Sequence, residues 1–246
     1  MNTTQTIGFA DLHTHILPEV DDGARNLETA MNMVKQAWED GTRILFLTPH
    51  YRGAYKKNTP QQLRERFDMF REAVRTIYPD MKLYLGQEVH YQQEAPERLY
   101  EGTILSLCDS QYALLEFRGS ATRTQILNGV SETIRNGFVP ILAHVERYDA
   151  FRNEFSLAYD VLEMGALIQL NADSVMGDQG WGVKWLCHRL LKRRLVQFIA
   201  SDAHDPDKRR PMLRACYLRV QKKYGADYAA DVFWNYAQAV VENRTM

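Results

Sequence analysis

Short apolar runs of strand character alternate with amphipathic helical patterns along the whole of this 246-residue chain. That rhythm is the sequence form of repeated βα units around a mainly parallel sheet. Strands are expected over residues 7–12, 43–48, 82–91, 112–117, 138–143, 166–170 and 196–200. Helices are expected over 27–40, from Pro60 to Pro79, and over 123–136, 155–164, 183–194, 211–224 and 227–243. Punctuation agrees with this division. Asn26 can cap the first helix and Gly41 end it, while Thr59-Pro60 is a cap followed by a first-turn proline. About seven βα units result, and a polar, glycine-rich loop is expected over 171–182. With no linker, low-complexity stretch or second hydrophobic system, the chain is expected to form one domain over 1–246.

Composition excludes several classes. Hydrophobic residues at 45% and charged residues at 25% are ordinary for a globular chain, which argues against disorder. A net charge of -1 and a pI near 6.7 argue against a nucleic-acid footprint over the whole surface. No apolar run reaches the length of a membrane span, and residues 1–10 lack the regions of a signal peptide. Cys108, Cys187 and Cys216 show no C-x-x-C spacing, which suits a reducing compartment. A cytoplasmic location is therefore expected.

The polar residues at the strand ends carry the functional reading. His13 and His15 follow the first strand, one residue apart, so that alternate side chains share a face. Alone, such a pair is more often solvated or satisfied within a core than bound to metal. The later strands change that balance. The second is followed by His50 in Thr-Pro-His-Tyr, the third contains Glu88 in Gly-Gln-Glu, and the fourth ends in Glu116. The fifth is followed by His144, the sixth by Asn171, and the seventh by Asp202 and His204 in Ser-Asp-Ala-His. In parallel βα architectures, the carboxyl ends of the strands converge on one face, where active sites are built.

Imidazoles mixed with carboxylates and without thiolate suit manganese, iron or zinc. The candidates His13, His15, Asp22, His50, Glu88, Glu116, His144, Asp202 and His204 exceed what one ion can use. A bridged cluster of two or three metals is the natural reading, and such clusters stabilise in-line attack on phosphorus. Arg147, three residues after His144, offers a rigid fork to phosphate oxygens.

Taken together, His13-x-His15, Asp22-Gly23, Thr-Pro-His50-Tyr, Gly-Gln-Glu88, Ala-His144-x-Glu-Arg-Tyr148 and Ser-Asp-Ala-His204 resemble the polymerase-and-histidinol-phosphatase (PHP) superfamily. Within it, the chain is most similar to bacterial capsule and exopolysaccharide tyrosine phosphatases of the CpsB/YwqE type. The likeness runs from Asp11 to about Arg210, with the motifs in the family's order. It implies a distorted (β/α)7 barrel with the active site at the C-terminal strand ends and three divalent metals. Manganese is the usual ion, with iron, zinc or magnesium as alternatives. Carried over by residue, His13, His15, Glu88 and Asp202 would hold one ion. Glu88 would bridge to a second held with Glu116 and His144, and Asp22, His50 and His204 would hold the third. Asp21 acquires no role. Arg147 and Arg209 would bind the phosphoryl group, and His204 or Asp202 would help protonate the leaving group. The implied activity is hydrolysis of phosphotyrosine by a metal-activated hydroxide. The implied substrate is the tail of a bacterial tyrosine kinase, with control of capsule and exopolysaccharide synthesis as the outcome. Relatives can form rings, so self-association is left open. Val145 stands where the family usually has proline, and Asn235-Tyr-Ala replaces its common Asn-Pro; neither change removes a ligand.

Competing readings differ in what they need. A small-molecule phosphomonoesterase such as a histidinol phosphatase would use the same ligands. Phosphodiesterase or exonuclease relatives are disfavoured by the missing polymerase domains and the neutral charge. An amidohydrolase also begins with H-x-H, but commonly has a carbamylated lysine at the fourth strand, where Glu116 stands. A regulatory subunit that kept only the fold has no need of the complete ligand set. Cys187 and Arg193 have the C-x5-R spacing of thiol-based tyrosine phosphatases. The run lacks the glycine-rich phosphate cradle that such a nucleophile requires and reads as an amphipathic helix. His90 is expected to give hydrogen-bonded support to the site, and His188 to be a surface residue. The aromatic, basic segment Tyr51 to Lys57 reads equally as a solvated loop or as a dock for an acidic or tyrosine-rich peptide.

Overall fold

The computed structural model describes residues 8–246, so Ile7, at the start of the first expected strand, lies outside the described residues. Its strands are β1 (Phe9–Thr14), β2 (Thr42–Leu47), β3 (His50–Tyr51), β4 (Lys82–Leu85), β5 (Glu88–His90), β6 (Tyr112–Glu116), β7 (Val139–Leu142), β8 (Leu167–Asn171) and β9 (Phe198–Ala200). Every pairing between them is parallel, in the orders β1-β2-β4 and β3-β5-β6-β7-β8-β9. Strands covered on both faces are read as continuous apolar runs, which is how these segments appear in the sequence.

The strand expected over 43–48 is found as β2 and is followed by a short strand, β3, that was not expected, while the strand expected over 82–91 is broken into β4 and β5. Thr48-Pro49 separates β2 from β3, and proline has no N–H to give a ladder. Gly86-Gln87 separates β4 from β5. A Cβ on Gly86 would lie 2.6 Å from the Leu107 side chain and 3.0 Å from its Cα, so this turn requires glycine. The ladder crosses both breaks, through Thr48 N–H to Thr14 O (2.8 Å) and Glu88 N–H to Pro49 O (3.2 Å). The paths therefore number seven, as the βα rhythm implies. The barrel closes by a parallel bridge between Thr14 and Ala203, with Asp202 N–H donating to His13 O (2.9 Å) and His15 N–H to Ala203 O (2.8 Å).

Helices cover the outside. In α1 (Leu27–Asp40), Asn26 accepts from Thr29 N–H at 2.8 Å, and Gly41 ends the helix at φ 110. A helix of α2 (Pro60–Ile77) follows, opened by a reciprocal Thr59–Gln62 capping box. A short α3 (Ala95–Tyr100), absent from the sequence expectation, precedes α4 (Arg123–Arg135), which has the same box from Thr122 and Gln125. A further short helix that the sequence reading did not expect, α5 (Asp149–Asn153), precedes α6 (Leu157–Glu163), which lies within the helix expected over 155–164, and the expected loop after β8 contains α7 (Ala172–Met176). α8 (Trp181–Lys192) and α9 (Arg214–Tyr224) follow. The last expected helix is interrupted: α10 (Ala226–Ala230) and α11 (Tyr236–Val241) flank a π-turn over Asp231–Asn235.

Alternate strand residues divide between two apolar layers. Leu12, Phe46, Leu114, Ile141 and Phe198 pack together with Ala237 and Val240 of α11 beneath the polar strand ends. Leu45, Leu83, Leu115 and Ile168 instead belong to clusters formed with the helices. In β1 the three-residue advance from Asp11 to Thr14 faces a two-residue advance from Leu45 to Leu47. Such a bulge re-aims side chains beside a site, and here it lies at His13.

Candidate metal centre

The expected ligand residues all arrive at the C-terminal ends of the strands. His13 lies near the end of β1 and His15 just beyond it, with Asp21 and Asp22 in the loop to α1. His50 begins β3, Glu88 begins β5, and Glu116 ends β6. His144 follows β7 in a left-handed conformation (φ 34), and Asp202 follows β9 in another (φ 54). Non-glycine residues in that region typically cost about 1–3 kcal/mol each and persist where the surroundings hold them. Both positions turn a candidate ligand side chain toward the same space. His13, His15, His50, Glu88, His144, Asp202 and His204 are buried, whereas Glu116 is partly exposed and Asp22 is open to solvent.

Glu88 stands at the centre. His13 Nε2 and His15 Nε2 lie 3.2 Å from each other, and each is 3.3 Å from Glu88 Oε2. His50 Nδ1 is 2.7 Å from the same oxygen, and His144 Nε2 is 2.8 Å from Oε1. Despite this crowding, Glu88 Oε2 accepts no hydrogen bond from the described residues, and both nitrogens of His50 are also without one. Buried lone-pair atoms left unpartnered within such a crowd, as Glu88 Oε2 and the His50 nitrogens are, are what a cation resolves. Three sets of donor atoms are each mutually within 4.8 Å: His15, Asp22, His50 and His204; His13, His15 and Glu88; and His50, Glu88 and Glu116. The donor set and its unsatisfied atoms fit divalent metal binding. The grouping overlaps the family-based one, with differences. His15 and His50 each appear in two sets. His144 approaches Glu88 more closely than Glu116, whose Oε1 is 3.8 Å from its Nε2.

Behind these residues stand supporting ones, of which Asp21 and Gln169 are given no role by the sequence. Asp21 Oδ2 accepts from His15 Nδ1–H (2.7 Å) and from the His50 backbone N–H (3.0 Å). It therefore fixes which His15 nitrogen faces the centre, the usual task of a carboxylate behind a ligand histidine. Gln169 Oε1 accepts from His13 Nδ1–H (3.2 Å) and the His144 N–H (2.9 Å). Its amide donates to Asn171 Oδ1 (2.8 Å), and Asn171 donates in turn to Asp202 Oδ2 (2.8 Å). The one sequence signal for this relay was a pair of polar residues two apart in the otherwise apolar β8. His90 Nδ1 bonds Glu116 Oε2 at 3.0 Å, matching the support expected of it.

Carboxylates at the edge of the cluster share a pattern. Asp202 turns Oδ1 toward His13 and His15 (3.5 Å each) and Oδ2 toward Arg147 (2.9 Å) and Arg209 (2.6 Å). Asp22 turns Oδ1 toward His50 (3.2 Å) and His204 (3.7 Å), and Oδ2 toward Arg52 (3.1 Å). The other arm of Arg52 lies 3.6 Å from Glu116 Oε2. Inner oxygens face imidazoles and outer oxygens face guanidinium groups, so a cationic collar surrounds the mouth. The 51–57 segment supplies part of it. Tyr51 is buried and accepts from Arg98 (2.6 Å), while the Tyr55 ring stacks on His50.

Charge is strongly coupled here. Burial alone would raise the Glu88 carboxyl, but the imidazoles of His13, His144 and His15 hold it well below the usual carboxylate range. Asp202 is likewise lowered, against its own desolvation, chiefly by the charge on His13 and the bond to His15. The His50 imidazole, 3.2 Å from its Oδ1, lowers Asp22. Burial would lower His15, His50 and His144, yet each is raised, His15 chiefly by Asp21, His50 by Asp22 and Glu88, and His144 by Glu88. His204 goes the other way, to about 3, through desolvation and the charge on His15.

The thiol alternative has no such setting. Cys187 lies inside α8, is fully buried, and has its pKa pushed well above the ordinary value by that burial. His188 bonds the Tyr224 hydroxyl (2.7 Å) and is not among the cluster residues.

A closed parallel β/α barrel with an imidazole–carboxylate cluster on its C-terminal face defines a barrel metalloprotein of the hydrolase type. Residues 9–242 match the model of the capsular polysaccharide synthesis family CpsB/CapC, and the chain belongs to that family. It is 32% identical over 228 residues to the tyrosine-protein phosphatase CpsB of Streptococcus pneumoniae, covering 91% of this chain and 94% of that protein. The tyrosine-protein phosphatase YwqE of Bacillus subtilis (strain 168) is 31% identical over 238 residues, covering 96% and 92%. A crystal structure from a study of those two proteins, described there as unique metal-dependent tyrosine phosphatases, superposes with a TM-score of 0.89. It is 30% identical to this chain, and 96% of each chain is covered.

Proposed function

We propose that this protein is a metal-dependent protein-tyrosine phosphatase whose centre is built from His13, His15, Asp22, His50, Glu88, Glu116, His144, Asp202 and His204. One observation carries the reading: Arg147 and Arg209 share an oxygen of Asp202, whose other oxygen faces His13 and His15. Phosphate-binding forks thus stand directly beside a buried donor set suited to divalent ions. Three ions are proposed, manganese first among the candidates, within one domain spanning the chain. When bound, they supply charge neutralisation and activation of the attacking water.

The chain's own residues do the rest. Arg147 and Arg209 hold the phosphoryl oxygens and orient the ester for in-line attack. Asp21 and Gln169 fix the tautomers of His15 and His13, so that their Nε2 atoms face the centre. His204 stands toward the mouth beside Asp22, with Nδ1 at 2.9 Å from the Asp202 carbonyl oxygen, and is assigned as a ligand; neutral in that role, it has no proton to give the leaving oxygen, which solvent can protonate. A tyrosyl oxygen, whose phenol has a pKa of about 10, needs less help than an alkyl alcohol. The proposed physiological substrate is the phosphorylated tail of a bacterial tyrosine kinase, and the proposed outcome is control of capsule and exopolysaccharide synthesis in the cytoplasm. No helix among the described residues is long and apolar enough to cross a membrane, and the three cysteines are free.

The test is metal analysis combined with turnover of a phosphotyrosine peptide, a phosphoserine peptide and histidinol phosphate. Activity on phosphotyrosine that disappears in EDTA and returns with a divalent ion is the expected result. Preference for histidinol phosphate would move the assignment to small-molecule phosphomonoesters. Activity that survives EDTA would overturn the metal mechanism.

A further inference from the structure

A groove of about 750 Å³ lies between the β1–α1 loop and α2, outside the metal cluster but continuous with the loops that frame it. Its head is made by Pro18, Glu19 and Val20, which directly precede Asp21 and Asp22, and by Lys57 and Asn58, which end the segment that starts at His50. Asn58 donates to Val20 O (2.6 Å), joining the two loops at that point. From there the groove follows one face of α2 from Gln62 to Ala73. Eleven helical steps correspond to about 16 Å, the length of roughly five extended residues.

The lining is apolar at the bottom and mixed at the rim. Val20, Leu63 and Phe70 are buried, whereas Leu27 is 52% exposed and Met69 is 77% exposed. Two large apolar side chains held in solvent along one groove are a feature that a partner would cover. The rim carries both signs, with Glu19 paired to Arg66 (3.2 Å) and Lys57 exposed at the head of the groove. A mixed rim does not select a uniformly anionic ligand such as a lipid surface or nucleic acid. An apolar floor whose head is formed by the loop that carries Asp21 and Asp22 and by the end of the segment that begins at His50 suits an extended peptide.

We infer that this groove seats the residues on one side of the phosphotyrosine in a protein substrate, with apolar side chains on Leu27, Leu63, Met69 and Phe70. The inference rests on the phosphatase reading of the adjoining centre. It makes substrate choice a property of α2 as well as of the metal cluster, because a free phosphate ester cannot reach the groove.

Met69→Glu and Leu27→Glu change exposed side chains that support no ligand, so folding and metal content should be retained. The experiment compares p-nitrophenyl phosphate with phosphotyrosine peptides that extend by none or by six residues on each side. Both variants should keep kcat/KM on p-nitrophenyl phosphate within twofold of the parent. KM for the peptide extended on the groove side should rise by about tenfold, while the unextended peptide is unaffected. Parallel changes on all substrates, or none on any, would overturn the inference. So would a change in oligomeric state in either variant, since that would identify a second copy of the chain as the occupant. Fluorescence anisotropy of a labelled, non-hydrolysable phosphonate peptide separates this outcome from failure of the phosphatase reading. If the parent turns over no phosphotyrosine, the catalytic assignment fails, and loss or retention of length-dependent binding still decides the groove.

Discussion

The two sides of the ligand cluster are built differently. On the deep side, His13, His15, Glu88 and Asp202 are at most 2% exposed, and each is held by partners from other strands. On the mouth side, Asp22 and Glu116 have side chains 42% and 15% exposed, and their outer oxygens meet Arg52, itself 37% exposed. The deep side chains have no solvent to fall back on and are held by their partners, so on the proposed reading their geometry is set before a metal arrives. Mouth ligands retain a choice between metal, arginine and solvent. The difference predicts a graded response to substitution, steepest at Glu88 and shallow toward the exterior.

Glu88→Gln should be the most damaging change. It removes a charge around which the imidazoles are gathered and leaves them buried without their counterion. Phosphotyrosine turnover should fall by about a hundred- to a thousandfold, with loss of bound metal by elemental analysis. Asp22→Asn, at the mouth, should cost roughly tenfold or less, because His50 and His204 remain. Equal losses at the two positions would erase the proposed distinction between the sides.

The next comparison concerns the groups behind the ligands. Asp21→Asn should weaken metal affinity by about ten- to a hundredfold, since the amide no longer sets the His15 tautomer by charge. Competition with a chelating dye measures this without relying on activity. An unchanged affinity would mean that the strand geometry alone orients His15. This position also marks where sequence reading stopped. The strand ends could be read because ligand residues recur after every apolar run, and chain order alone places them on one face. Asp21 and Asp22 are neighbours with the same side chain, and only the closed loop shows which one faces His15 Nδ1. Gln169 was equally opaque, and Asn171 was legible only as a polar strand end, because their partners on β1, after β7 and after β9 come together only when the barrel closes. The breaks at Pro49 and Gly86 and the π-turn before α11 were missed for a related reason. Periodicity detects an element's face, and neither feature changes that face enough to register.

pH should separate metal-free from metal-loaded protein. His15, His50 and His144 have raised pKa values without metal, so their stabilisation is complete below the ordinary histidine value of about 6.5 and is lost as pH rises through the folded values. His204, lowered to about 3, acts in the opposite sense but is a single group against three. The lowered Asp22, Glu88 and Asp202 stabilise above about pH 4 and cease to do so as pH falls further. In EDTA the melting temperature should therefore decline above about pH 6.5. Metal binding requires unprotonated imidazoles, so the stabilisation given by metal should grow over that same interval. Scanning fluorimetry from pH 6 to 8, with and without metal, should show a widening gap. A gap that narrows would show that these histidines are not the groups that metal displaces protons from.

The smallest effect is expected outside the cluster, at the residue that a motif search would choose first. Cys187 and Arg193 reproduce the spacing of a thiol phosphatase, but spacing is not a site. The thiol is enclosed in α8, and its burial favours the protonated, unreactive form. Arg193 lies over the Phe155 ring at 5.2 Å, outside any phosphate cradle. Cys187→Ser places a hydroxyl in an apolar cluster and should cost about 1–2 kcal/mol of stability while leaving phosphotyrosine kcat/KM within about twofold. The paired measurements are a melting curve and turnover at a temperature well below the transition. Loss of turnover in a variant that remains folded and metal-loaded would return the thiol to the mechanism and remove the imidazole–carboxylate cluster from its centre.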